Sequence, residues 1–227
     1  MNGYVLASIA VLLFSTSPAL TRFATGIGPV EIAFWRLASG AVAVSGFAVA
    51  TRHRIVWRHL LTIEFAAYGA LVAVHFGSFV ASLAFTSTAH SLAITYTAPV
   101  FVALASWVVL REPISPRSMV GIIVAIAGAT YLTGFEPVVT ERSLIGDGFA
   151  LITAVTYGFY SIAGRRARDR FHLFDYACAV YGWGAAWLLP IVIWQSPETT
   201  RGILPMIAVL AAGVFPLGTG HTLYNAA

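Results

Sequence analysis

An all-α, polytopic helical membrane protein is the fold class this sequence predicts, and three observations predict it. Hydrophobic residues make up 59% of the 227 and charged residues 10%, whereas a water-facing domain carries roughly a quarter charged residues. Apolar runs of about 20 residues, the length that crosses ~30 Å of hydrocarbon, recur along the whole chain. Arginines crowd into alternate connections between those runs, as the positive-inside rule expects of a multi-pass chain. Such runs must be helical, because nothing in lipid satisfies a loose backbone group. The strands of an outer-membrane barrel would be about half as long and strictly alternating.

The first run, 3–21, lacks the basic flank and cleavage pattern of a signal peptide and is read as span one. Span two, 30–50, carries Arg36 about 9 Å from its start, at ~1.5 Å per residue. From that depth the long side chain can snorkel to the interface. Span three, 64–85, places His75 near its middle. Span four, 91–110, contains Pro99, which removes a helical hydrogen bond and predicts a fixed kink. Span five, 119–135, has a small-residue face of Gly121, Ala125 and Gly128 that permits close helix contact. Spans six (146–163), seven (173–194) and eight (203–227) complete a count of eight.

Nine arginines (52, 54, 58, 111, 117, 165, 166, 168 and 170) lie on the side of the N-terminus. The other side has Arg22, Arg142 and Arg201, with Glu31, Glu136, Glu141, Asp147 and Glu198. This asymmetry places the N-terminus in the cytoplasm; a bacterial inner (plasma) membrane is the location expected. The basic clusters then read as orientation signals and anionic-lipid contacts, not as a nucleic-acid site. A single cysteine, Cys178, excludes a disulfide framework and a cysteine metal cluster. Neither a cofactor nor a metal is expected.

Shifted by 143 residues, the hydropathy of spans one to three falls on that of spans six to eight. Gly3 meets Gly146, Ala7 meets Ala150, Ile9 meets Ile152, Phe14 meets Tyr157 and Arg22 meets Arg165. Five spans separate the copies, so their orientations are opposite. Two inverted five-helix repeats, with the substrate site between the halves near the midplane, are a plan of many secondary transporters. The expected division is 1–136 for the first repeat, spans one to five, and 144–227 for a partial second, spans six to eight. Second copies of spans four and five would fall at 234–253 and 262–278, beyond Ala227. The expectation is eight of ten spans.

The stretch ASLAFTSTAHSLAITYTAPVFVALASWVVLREPIS, followed by MVGIIVAIAGATYL, resembles the EamA domain of the drug/metabolite transporter superfamily. Phe34-Trp35-Arg36 and GDGFALITAVTYGFYSIAGRR are similar to that family as well. The family commonly has Gly-Glu after the fourth span; here Arg111-Glu112 stands there, and only Glu112 matches. The resemblance implies a ten-helix carrier of two inverted halves that moves amino acids or other small metabolites, often outward. Multidrug and lipid-linked-sugar exporters of the same superfamily are the alternative, and they call for a larger, more apolar pocket.

Polar groups inside lipid are expensive and mark candidate pathways. His75, Ser78, Phe79 and Ser82 follow i, i+3, i+4, i+7 spacing and share one helix face. Such a face suits either the wall of a wet cavity or interhelical hydrogen bonding. His221, Tyr224 and Asn225 repeat the spacing in span eight, where the shift lays His221 over Ser78 and Asn225 over Ser82. Ser15 in span one, Tyr96 in span four, and Tyr157 with Tyr160 in span six complete the candidate substrate-binding set. No catalytic residue is assigned: neither GxSxG nor HExxH occurs, and no GxxxxGK[ST] supports nucleotide-driven pumping. No carboxylate lies mid-membrane, so any proton coupling would rest on His75 and His221. The partners expected are a small-molecule substrate and the lipid bilayer, with a homodimer as a candidate assembly.

Overall fold

The computed structural model describes residues 2–133, 140–168, 170–195 and 202–227, the side chains at 59, 133 and 168 excepted. Glu136, Glu198 and Arg201, counted above, lie outside the described residues, as does the expected repeat boundary at 136. Among the described residues every regular element is helical. Helix α1 (Gly3–Phe23) begins where the Asn2 side chain accepts a hydrogen bond from the Tyr4 N–H at 3.1 Å. The turn to α2 (Pro29–Ala50) uses Gly26 at φ 78°, a left-handed backbone that glycine adopts without steric cost.

A short α3 (Trp57–Leu60) leads to α4 (Ile63–Phe85). The fourth run is split into α5 (Thr88–Thr95) and α6 (Ala98–Ala105), with Pro99 in the first turn of α6. The kink therefore falls where proline predicts it. A π-helical turn, Ser106–Leu110, ends the run at Arg111, whose φ is 56°. Helix α7 (Pro116–Thr133) starts under the Ser115 hydroxyl, which accepts from the Ser118 N–H at 3.1 Å. Thr140 and Ser143 cap α8 (Glu141–Arg168) reciprocally, at 2.9 and 3.1 Å. Helix α9 (Leu173–Gln195) follows, and then α10 (Ile203–Ala212), a π-helical stretch Gly213–His221, and α11 (Thr222–Ala226).

Among the described residues all eight expected runs are helical, and six are long and apolar enough to cross a membrane: 3–23, 29–50, 63–85, 88–110, 173–195 and 203–226. The other two differ for visible reasons. The apolar part of α7 is shorter, at Pro116–Leu132. Helix α8 runs 28 residues and carries Glu141, Arg142 and Asp147 near one end and Arg165 and Arg166 near the other.

The chain forms two compact units, 1–73 with 164–227, and 74–163. Each takes helices from both expected repeats. In the first unit, α2 packs on α9 and on the π-helical stretch. Small residues set the spacing: a Cβ at Gly213 would overlap the Ser39 side chain and the Arg36 carbonyl, and one at Gly69 would overlap Trp183. Close backbone approach is how helices gain packing in lipid, where no hydrophobic force drives them together. The Trp183 and Trp187 indoles donate to the carbonyls of Leu60 and Ala66 at 2.7 and 2.9 Å.

Arg36 departs from expectation. It does not snorkel; it is 1% exposed, and its guanidinium donates to Ser17 Oγ at 2.8 Å and Thr21 Oγ1 at 3.2 Å. Two hydroxyls one helical turn apart on α1 thus replace part of the hydration that burial removes. In the second unit, the N-terminal part of α8 sits against the α4–α5 turn, where a Cβ at Gly146 would meet Phe85 and Thr86 backbone. Arg142 reaches across to the Ala84 carbonyl at 3.1 Å.

Candidate solute site

His75 is 5% exposed and is held by α8, within the second unit. Its Nδ1 lies 3.0 Å from the Thr153 carbonyl oxygen and 3.3 Å from Thr156 Oγ1. A carbonyl only accepts, so the proton sits on Nδ1 and this nitrogen donates. The Thr156 hydroxyl gives its own hydrogen to the Ile152 carbonyl at 2.6 Å, which leaves its oxygen able to accept a share of the Nδ1–H. The tautomer is therefore set by the α8 backbone. Phe76, Tyr157 and Tyr160 surround the ring, with centroids at 4.7, 5.5 and 6.2 Å; Tyr160 is nearly parallel to it, at 20°. An imidazole among three aromatic faces can hold an amphipathic solute by hydrogen bonding at one end and ring contact at the other.

Three of the sequence candidates, His75, Tyr157 and Tyr160, thus come together. Ser78, Phe79 and Ser82 are buried on the same helix. Ser82 makes an interhelical bond, its Oγ 2.6 Å from Ser91 Oγ, and donates within its own helix to the Phe79 carbonyl at 2.8 Å. Tyr96 lies half-exposed at the α5–α6 break. Within the first unit, His221 is buried with its ring 4.4 Å from that of Phe14, and Tyr224 stands 6.0 Å from the same ring. Ser15 is exposed and donates to the Leu12 carbonyl of its own helix at 2.7 Å. Asn225 turns elsewhere, lining a cavity of about 360 Å³ with Gly164, Phe171, His172, Leu173, Tyr176 and Ala226. The stripe expected in span eight therefore divides, two residues against α1 and one into this cavity.

The EamA-like transporter family model matches residues 1–134 of the chain. The chain belongs to the EamA-like transporter family. It is similar to an uncharacterized transporter of Clostridium kluyveri, 22% identical over 237 residues that cover 98% of this chain and 76% of that protein. An uncharacterized transporter of Archaeoglobus fulgidus is 20% identical over 217 residues, covering 88% and 73%. A crystal structure at TM-score 0.80 and 20% identity covers 98% of this chain and 77% of that one, which establishes a shared fold.

For this EamA-like transporter, the sequence reading missed Thr153, Thr156 and Ser91. Thr153, Thr156, Tyr157 and Tyr160 are themselves spaced i, i+3, i+4, i+7, the same pattern as 75, 78, 79 and 82. That repeat of the spacing was a usable signal for a second face.

Proposed function

We propose that this member of the family is a secondary transporter that exports small metabolites of the amino-acid class across a bacterial inner membrane by alternating access. His75, Tyr157 and Tyr160 contact the solute, all within one compact unit. Family membership supports transport itself; the observation that carries the site is a buried imidazole with its Nδ1–H on the Thr153 carbonyl and its ring framed by two tyrosines. An amino acid offers an ammonium group and a side chain. A neutral imidazole accepts from the first, and aromatic faces attract both cations and apolar groups. Export and a cytoplasmic N-terminus belong to the same reading and rest on the arginine asymmetry and the family resemblance.

Counterflow in proteoliposomes tests it. Vesicles preloaded with a panel of unlabelled amino acids should accumulate the matching labelled species transiently above protein-free vesicles. Absence of such an overshoot for every member of the panel contradicts the proposed solute class.

A further inference from the structure

The solute site leaves a second pair of histidines unused. His53, in the connection after α2, and His172, just before α9, stack face to face with ring centroids 3.7 Å apart and planes inclined by 14°. His53 Nε2 lies 2.9 Å from Asp175 Oδ1, and the Val56 N–H reaches the same oxygen at 3.4 Å. Asp175 is buried in the first turn of α9. His172 Nδ1 accepts from the Phe174 N–H at 3.3 Å, so His172 carries its proton on Nε2 and is neutral. The Phe174 ring lies 6.0 Å from His53 and 5.3 Å from His172. These contacts pin the α2–α3 connection to the base of α9, all within the first unit.

We infer that the His53–His172 stack is a proton-operated clamp that holds the 51–56 segment on α9 and releases it on acidification. As the structure stands the stack needs at most one positive ring, His53, beside the Asp175 carboxylate. A proton added to His172 goes to Nδ1, where it displaces the Phe174 N–H and sets a second positive charge 3.7 Å from the first ring. One carboxylate then faces two imidazolium rings, and like charges at that separation repel strongly. Imidazole is the side chain whose charge changes near neutral pH.

Among the described side chains, Asp175 is the charged group that meets the pair. Arg170 is turned to Glu64, at 2.6 and 2.9 Å, and Arg52, Arg54, Arg58, Arg165 and Arg166 are exposed. His172 also lines the cavity shared with Tyr176 and Asn225, so release of the clamp alters that cavity's wall. The clamp is independent of the solute site.

A nitroxide at Arg54→Cys, in a Cys178→Ala background reconstituted in phospholipid vesicles, reads the segment directly. Between about pH 8 and about pH 5, equal on both sides of the membrane, the immobile fraction of its spectrum should fall by about twofold or more. His172→Asn, which keeps an acceptor for the Phe174 N–H but takes no proton, should abolish the response; His172→Gln is the second variant if the first misfolds. A nitroxide at Arg117→Cys should show no change. An unresponsive parent, an undiminished response in the His172 variants, or an equal response at Arg117 overturns the clamp.

Discussion

At the scale of single residues, burial decides which polar groups carry meaning. Arg36 shows the cost side: a guanidinium at 1% exposure is tolerated where hydrogen bonds compensate its lost water. Removing one acceptor, by Thr21→Val or Ser17→Ala, should lower stability by about 2 kcal/mol, since the donor left behind stays desolvated. Unfolding by denaturant in mixed micelles measures it, and an effect within error would mean that the hydroxyls are incidental. The sequence made Arg36 visible as a charge inside an apolar run, but not its partners. Ser17 and Thr21 sit on another helix, and spacing along one chain says nothing about which neighbour a side chain meets. His75 is the opposite case: its place in mid-span marked it, whereas the carbonyl that fixes its tautomer belongs to a backbone no pattern singles out.

At the scale of elements, apolar length and punctuation were readable, and helix geometry was less so. Among the described residues all eight runs are helical, and Pro99 breaks the fourth where expected. Nothing in the residues foretold a nine-residue π-helical stretch at Gly213–His221. Wider winding of this kind depends on what packs alongside, and π segments often accompany functional sites. Beyond it, in α11, Asn225 leaves the side on which His221 and Tyr224 meet Phe14.

Glycine gives this scale its test. Gly213→Val drives side-chain atoms into Ser39 and the Arg36 carbonyl, and should destabilise by about 3 kcal/mol through overpacking. Gly46→Ala, on α2 itself and with open space around it, should be neutral or stabilising by about 0.5–1 kcal/mol through helix propensity. Similar losses in both variants would contradict the close α2 contact.

At the scale of the whole molecule, the membrane class followed from composition, while arginine placement carries the proposed orientation. The make-up of the compact units did not, because contacts between α1 and the 213–226 segment, or between α4 and α8, join residues far apart in sequence. Orientation is checkable with single cysteines in the Cys178→Ala background. Cysteines at Arg54, Arg117 and Arg165 should resist a membrane-impermeant maleimide in intact cells, while one at Arg142 should react; the reverse pattern would invert the topology. The central claim is that solute passes over the His75 face. It is tested most directly by counterflow in vesicles holding equal amounts of folded wild-type and His75→Ala protein, with helicity matched by circular dichroism. Transport should fall severalfold with the fold intact; undiminished transport by His75→Ala would show that solute does not pass over this face.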